Sequence, residues 1–191
     1  MTYSQGGEEA ALLALNLEPG HLLDIGAADG MTFSNSRALI ERGWHAILVE
    51  SSPDHFMTLF EEYRDHPRVD LVLATVGVAS DLVSFHHTKD LVGTTEEAHF
   101  EKWREAATFD GAFYTWTVPL VRLLEEFWPL DVISIDTEGT SAKLCHELFD
   151  SGRLPRVIVV EHDSDATLDV RAFGLGYRAV YCDGNNIVYA R

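Results

Sequence analysis

The chain has 191 residues, of which 46% are hydrophobic and 24% charged, a composition typical of a globular protein rather than a disordered one. Its formal net charge of -17 argues against nucleic acid and anionic membranes as partners, because both attract basic surfaces. A chain of this length favours one domain, which we expect to span residues 1–191.

Helices and strands are expected to alternate along the chain. The first predicted elements are a helix at 8–17, a strand at 22–25, a helix at 34–42, a strand at 46–49, a helix at 54–65, a strand at 69–78 and an extra edge strand at 82–86. The remaining ones are helices at 95–107 and 118–127, a strand at 132–135, a helix at 142–149, a strand at 157–160, and strands at 176–182 and 187–189 around the turn Asp183-Gly184-Asn185. This order predicts an α/β fold with a mostly parallel sheet, helices on both faces and a C-terminal antiparallel hairpin.

The cysteines and the apolar segments bear on the cellular compartment. Cys145 and Cys182 lie in different predicted elements without a CxxC motif, so neither a disulfide framework nor a zinc cluster is expected. Residues 1–20 lack a basic start followed by a sustained apolar run, and no stretch has the length of a membrane span. We therefore expect a cytoplasmic protein with no membrane partner.

Two apolar runs end in acidic residues that suit a nucleotide-type cofactor. Residues 22–30 read Leu-Leu-Asp-Ile-Gly-Ala-Ala-Asp-Gly, and the run at 46–49 ends in Glu50, whose carboxylate can accept hydrogen bonds from ribose hydroxyls. The dinucleotide fingerprint is not met, because Ala28 stands at its second glycine and Gly30 comes one position early. A pyrophosphate needs that glycine, whereas S-adenosylmethionine has no phosphate.

Several motifs, in their order and spacing, resemble those of the FkbM-type S-adenosylmethionine-dependent methyltransferases. They are Tyr-Ser-Gln-Gly-Gly-Glu-Glu at 3–9, Asp-Ile-Gly-Ala-Ala-Asp-Gly at 24–30, Phe-Ser-Asn-Ser at 33–36, Gly-Trp at 43–44, Val-Glu-Ser-Ser-Pro at 49–53, Asp-Val-Ile-Ser-Ile-Asp-Thr-Glu-Gly at 131–139, and the strand at 157–162. Glu9 replaces the usual Asp, and residues 85–116 match no strong motif. The resemblance implies a Rossmann-like class I methyltransferase fold with a seven-stranded sheet, and S-adenosylmethionine as cofactor.

The same resemblance implies which residues hold the cofactor. Residues 26–30 would wrap its methionine part, Glu50 would hold the ribose, and Thr75 and Val76 would flank the adenine. Asp24 and Asp136 would lie near the sulfonium and the amino group. The full expected set is Gln5, Asp24, Gly26, Ala27, Asp29, Gly30, Ser34, Glu50, Ser51, Thr75, Val76 and Asp136.

The reacting site must align the methyl donor with its acceptor, and a hydroxyl acceptor must also lose a proton. One route is a general base, for which His162 beside Glu161 is the best-placed candidate. The other is Mg²⁺ or another divalent cation on Asp136 and Glu161, which would lower the pKa of the acceptor hydroxyl. The candidate catalytic residues are Asp136, Glu138, Glu161 and His162.

We expect O-methylation of a hydroxyl on a sugar, glycan or related small metabolite, a substrate class that rests on the resemblance. A nucleotide-sugar or NAD-dependent Rossmann enzyme is one alternative, against which the missing second glycine and the lack of a Tyr-x-x-x-Lys pair argue. A non-catalytic module that binds S-adenosylmethionine is another, against which the retained acids argue. The aromatic stretch at 103–116 is expected to join the core, stack a sugar or cap the pocket, and His99 to lie on a helix surface or in a loop. The oligomeric state is not predicted.

Overall fold

The structure is a computed structural model that describes residues 2–191. Its elements, in chain order, are α1 (Glu8–Ala14), β1 (His21–Ile25), α2 (Arg37–Glu41), β2 (His45–Glu50), α3 (Pro53–Tyr63), β3 (Val69–Leu73), β4 (Thr75–Gly77), β5 (Leu82–Thr88), α4 (Glu97–Trp103), β6 (Phe109–Pro119), α5 (Leu120–Phe127), β7 (Val132–Ile135), α6 (Ser141–Ser151), β8 (Val157–Glu161), α7 (Thr167–Gly174), β9 (Arg178–Cys182) and β10 (Asn186–Ala190). None of these helices is long and apolar enough to cross a membrane.

Seven strands form one sheet in the order β3-β2-β1-β7-β8-β10-β9. Every neighbouring pair up to β8 is parallel, whereas β10 runs antiparallel to both β8 and β9. The predicted mostly parallel seven-stranded sheet with a C-terminal antiparallel hairpin is therefore confirmed. The strand order reverses between β1 and β7, and the crevice beyond the carboxyl ends of strands at such a switch point is where open α/β sheets bind ligands.

Helices cover both faces of this sheet, as predicted. On one face, α1, α2 and α3 contribute Leu12, Ile40 and Leu59 to a buried cluster. On the other face, α5 and α6 contribute Leu124 and Leu148 to a second cluster, together with α7. Because the central strands are buried on both sides, they consist of continuous apolar runs, which made them easy to recognise in the sequence.

A second, three-stranded sheet has the order β4-β6-β5 and was predicted only in part. The third strand of the large sheet was expected within 69–78 and is β3, but it ends at Leu73, because the chain leaves the large sheet at Ala74 and β4 pairs with β6 instead. Strand β6 lies largely in the aromatic stretch, for which no strand was expected. The whole of β5 pairs with β6 in antiparallel orientation. Helix α7 was also not predicted, since only Leu168 and Ala172 are buried along its eight residues.

Candidate functional site

The turn after β1 runs against the end of β7. The Gly26 amide donates to the carbonyl of Val49 at 2.9 Å, and the Asp136 amide donates to the carbonyl of Ile25 at 2.9 Å. Gly26 has a φ of +88°, and a Cβ atom placed on it would lie 1.7 Å from the Asp136 carbonyl oxygen. Only glycine can occupy this position, so the turn lies directly beside Asp136.

Glu50, at the end of β2, fixes the same turn. Its side chain is buried, and its carboxylate accepts hydrogen bonds from the amides of Ala28 at 2.8 Å and Ser52 at 2.6 Å. Burial raises the pKa of Glu50, and these amides oppose that rise. Each carboxylate oxygen has two lone pairs, so both can accept a further hydrogen bond from a ligand.

Two residues of the expected cofactor loop, Asp29 and Gly30, shape the turn and line none of the three cavities described below. The Asp29 carboxylate accepts from the amides of Met31 and Thr32 at 2.8 and 2.7 Å. Burial alone would raise the pKa of Asp29, but these hydrogen bonds lower it on balance. Gly30 has a φ of +73°, and a Cβ atom there would lie 2.6 Å from atoms of both Leu59 and Tyr63.

A cavity of about 390 Å³, which we call the central cavity, opens beside the turn. It brings together most of the residues expected at the methionine end of the cofactor and at the reacting centre, which are Gln5, Asp24, Gly26, Ala27, Ser34, Asp136, Glu138 and Glu161. Trp103, from the aromatic stretch, also lines it, as do residues to which the sequence assigned no role at the site, among them Asn35, Leu91, Val92, Lys102, Asn185 and Asn186. The carboxyl ends of β1, β7 and β8 thus meet at one cavity.

A second, smaller cavity of about 50 Å³, which we call the narrow cavity, adjoins the central one. Its lining includes Glu50, Ser51, Thr75 and Val76, the residues expected around the ribose and adenine. The two cavities share Gly26, Ala28, Leu91, Asp136 and Glu138. The residues predicted to hold the nucleoside part and the methionine part of the cofactor therefore line adjoining cavities.

Carboxyl groups dominate the central cavity. Asp24, Asp136, Glu138 and Glu161 line it, and Lys102 is the one Lys or Arg side chain in its lining among the described residues. Burial raises the pKa of Asp24, although the hydroxyls of Ser36 and Ser134 oppose this. Burial, and then the neighbouring Glu138 and Glu161, raise the pKa of Asp136 well above its ordinary value.

Glu161 shows the same effect in a less enclosed position. Burial, followed by repulsion from Glu138 and Asp163, raises the pKa of Glu161 from 4.5 to about 7. His99 and Lys102 act in the opposite direction. The site therefore holds its carboxyl groups under mutual repulsion, which a cationic ligand would relieve.

Helix α4 and the segment before it cover Glu138. His99 is only 8% exposed, and its Nε2 atom lies 2.8 Å from Oε2 of Glu138, although the two are not aligned as a hydrogen bond. The Thr94 hydroxyl donates to the Glu138 carbonyl at 2.6 Å. The expectation that His99 lies on a helix surface or in a loop is wrong, because the side chain faces the site rather than solvent.

A third cavity, which we call the outer cavity, has a volume of about 390 Å³ and borders the central one. It shares Lys102, Glu161 and Asn185 with the central cavity and is also lined by Glu96, Ala98, His99, Gly139, His162, Asp163, Ser164 and Gly184. Both ring nitrogens of His162 are engaged: Nε2 lies 2.9 Å from the Gly184 carbonyl, and Nδ1 accepts from the Ser164 amide at 3.0 Å. Glu161 is therefore the candidate catalytic side chain common to both large cavities.

The expected divalent cation finds no support in this arrangement. Within residues 2–191, no three or more His, Cys, Asp or Glu side chains are grouped so that they could hold a metal ion. Asp24, Asp136, Glu138 and Glu161 line the same cavity, but they are not grouped closely enough for three of them to hold one ion. We derive no step through a metal.

Several solved structures share the fold of this chain. The methyltransferase FkbM from Methylobacillus flagellatus KT superposes with a TM-score of 0.57 at 14% identity, covering 91% of this chain and 44% of its own. The chain has the class I methyltransferase fold. The putative methyltransferase yhhF from Escherichia coli gives a TM-score of 0.55 at 13% identity, covering 100% of this chain and 88% of its own. Precorrin-6y C5,15-methyltransferase from Geobacter metallireducens GS-15 gives a TM-score of 0.52 at 16% identity, covering 96% of this chain and 86% of its own.

The similarity to these methyltransferases lies in the fold alone, because the identities are low. The chain spans less than half the length of the FkbM structure. No protein-family model matches the sequence, and no curated protein matches it. Membership of the FkbM family therefore stays a prediction.

Proposed function

We propose that the protein is an S-adenosylmethionine-dependent methyltransferase that methylates a hydroxyl group of a sugar, glycan or related small metabolite, as the motif resemblance to FkbM-type enzymes implies. The observation that carries the proposal is the central cavity, where a glycine turn and four carboxyl groups meet at the switch point of a methyltransferase fold. A confined excess of negative charge favours a cationic ligand. S-adenosylmethionine is cationic, because its sulfonium and ammonium charges outweigh its carboxylate.

The residues present fit this cofactor. The Glu50 carboxylate, already fixed by two amides, has lone pairs left for the ribose hydroxyls, and Thr75 and Val76 line the same narrow cavity. Asp24 and Asp136 supply negative charge in the central cavity for the ammonium and sulfonium groups. When bound, the cofactor supplies an activated methyl group. A pyrophosphate-containing cofactor would meet the same carboxyl groups unfavourably.

The outer cavity is the proposed acceptor site, since it meets the central cavity at Glu161. In the proposed reaction the site would align the acceptor oxygen with the methyl carbon, so that the new oxygen–carbon bond would form as the carbon–sulfur bond breaks. The hydroxyl proton passes to the Glu161 carboxylate. A carboxylate whose pKa is raised to about 7 is suited to act as a base near neutral pH. His162 is less suited, because backbone groups already engage both of its nitrogens.

Thermal unfolding with candidate cofactors tests the proposal. A ligand at 100 times its Kd adds ~2.7 kcal/mol to the free energy of unfolding. For a chain of this size, that corresponds to a rise in Tm of about 5–10 °C. We expect this rise with S-adenosylmethionine and none with NAD.

Two outcomes would point to the alternatives. Stabilisation by NAD and not by S-adenosylmethionine would refute the proposal in favour of a dinucleotide enzyme. Binding of S-adenosylmethionine, with no labelled product formed from any small molecule in a cell extract, would indicate a non-catalytic binding module.

A further inference from the structure

We infer that Glu8 is a positioning residue for the cofactor, because it ties the segment at 3–9 to the hairpin loop at 183–186. The inference rests on the proposed function, since the ligand whose binding it organises is S-adenosylmethionine. The segment and the loop come from opposite parts of the sequence, yet both contribute side chains to the central cavity.

Glu8 holds the two parts together through a buried carboxylate. It is 0% exposed, its Oε2 atom accepts from the Gly6 amide at 2.9 Å, and its Oε1 atom accepts from the Asn186 side-chain amide at 2.7 Å. Each oxygen thus faces a donor, one in its own segment and one in β10. A buried carboxylate with such partners is held in one orientation, because any other would leave charge and donors unpaired.

A second connection runs in parallel through Tyr181. The Gly7 amide donates to the Tyr181 hydroxyl at 2.8 Å, and that hydroxyl donates to Oδ2 of Asp183 at 2.8 Å. Oδ1 of Asp183 accepts from the amides of Asn185 and Asn186 at 2.7 and 2.8 Å. The position of the segment is therefore transmitted to the backbone of the hairpin loop.

The contact is close, so a side chain at either glycine of the segment would have to displace its partner side chain. A Cβ atom at Gly6 would lie 2.7 Å from Oδ2 of Asp183, and one at Gly7 would lie 2.5 Å from Cε2 of Tyr181. This docking brings Gln5 and Asn186 to the wall of the central cavity and Asn185 to the wall shared with the outer cavity. These uncharged amides complement a ligand carboxylate in a cavity otherwise rich in acids, so the segment and the loop together form the cofactor's amino-acid end of the site.

A donor–acceptor swap tests the inference. Glu8→Gln places an amide NH2 against either the Gly6 amide or the Asn186 side-chain amide, which are both donors. Asn186→Asp places a second carboxylate against that of Glu8. The double variant restores one donor and one acceptor with the same net charge. We expect each single variant to raise the Kd for S-adenosylmethionine about ten-fold and the double variant to return it to within about three-fold of the unchanged protein. Calorimetric titration measures these values.

A control variant and a second observable separate positioning from stability. Glu126→Gln removes an exposed carboxylate of α5, outside the segment and the loop, and should leave the Kd unchanged. Amide exchange of residues 183–186 in the cofactor-free protein should become faster in Glu8→Gln and recover in the swap. Tyr181→Phe, which removes only the second connection, should raise the Kd about three-fold and serves if Glu8→Gln does not fold.

Some results would overturn the inference. A Glu8→Gln variant with a lower Tm but an unchanged Kd would show a role in stability alone. A swap that restores the Tm and the amide exchange but not the Kd would show the same. If the unchanged protein does not bind S-adenosylmethionine, the proposed function fails first, and the inference fails with it.

Discussion

Glu161→Gln should make the protein more stable and less active. The pKa of Glu161 is raised from 4.5 to about 7 in the folded protein. Because the pKa is higher in the folded protein, the contribution of Glu161 to the free energy of unfolding is most favourable below the pKa of the unfolded chain. This contribution is lost as the pH rises through about 7. The difference of about 2.5 corresponds to ~3 kcal/mol at about 1.36 kcal/mol per unit. We expect about 2 kcal/mol, because the carboxyl group borders the outer cavity and is partly screened by solvent.

Urea unfolding between pH 4.5 and 8.5 measures this effect. The variant should match the unchanged protein below pH 4.5 and exceed it by about 2 kcal/mol at pH 8.5, a rise in Tm of about 4–8 °C. Glu126→Gln removes an exposed carboxylate outside the site and should change stability by less than about 0.5 kcal/mol at any pH. A gain that is the same at pH 5 and 8, or absent at both, would refute the account of a repelled carboxylate.

The turnover rates of Glu161→Gln and His162→Gln test which residue acts as the base. At saturating cofactor, Glu161→Gln should lower the rate about 10²- to 10⁴-fold, the usual contribution of a positioned base. His162→Gln should lower it much less, because the ring is already engaged with backbone groups. The opposite order would identify His162 as the base and reverse the assignment.

Two further predictions concern the turn beside β1. Glu50→Ala should weaken S-adenosylmethionine binding about ten- to a hundred-fold in titrations and lower the free energy of unfolding by about 2–4 kcal/mol, since two amides lose their acceptor. Asp136→Asn should instead lower turnover at saturating cofactor. Equal losses of affinity in both variants would show that the reacting centre is not at Asp136. Gly26→Ala should lower the free energy of unfolding, measured in urea, by more than about 3 kcal/mol. Gly43→Ala, at a φ of +93° but with open space around it, should lower it by about 1 kcal/mol. Similar losses in the two variants would show that the Asp136 carbonyl moves to make room for the new Cβ atom.

The large sheet could be predicted because each of its central strands is a short apolar run between turn residues. Val132–Ile135 was placed with its observed bounds, and Asp183-Gly184-Asn185 marked the hairpin. The small sheet could not be predicted in the same way. Its strand β6 alternates partly buried aromatic residues such as Phe113 with exposed ones such as Tyr114, so no simple polar face identifies it.

The residues that line the central and narrow cavities could be predicted where they follow a strand of the large sheet, because parallel strands present their carboxyl ends at one edge. Lys102 and His99 could not, since they reach the site from α4, in the part of the sequence without a recognisable motif. Trp103, also on α4, belongs to the aromatic stretch for which a core role and a pocket role were both left open. The contact of the His162 Nε2 atom with the Gly184 carbonyl is also a tertiary feature. Proximity to Glu161 in sequence made it look available as a base when its nitrogens are already used.

The crowding of carboxyl groups around the central cavity has a consequence for the catalytic cycle. If the proposed function holds, these carboxyl groups would attract the methyl donor, which is cationic, more strongly than its demethylated product, S-adenosylhomocysteine, which is neutral overall, so the electrostatics would favour exchange of the product for the next donor. Glu161 would be protonated after accepting the hydroxyl proton, which would lower the negative charge of the site. The carboxyl groups would therefore attract the next donor at full strength only after Glu161 has released that proton, so cofactor exchange and proton release would be coupled.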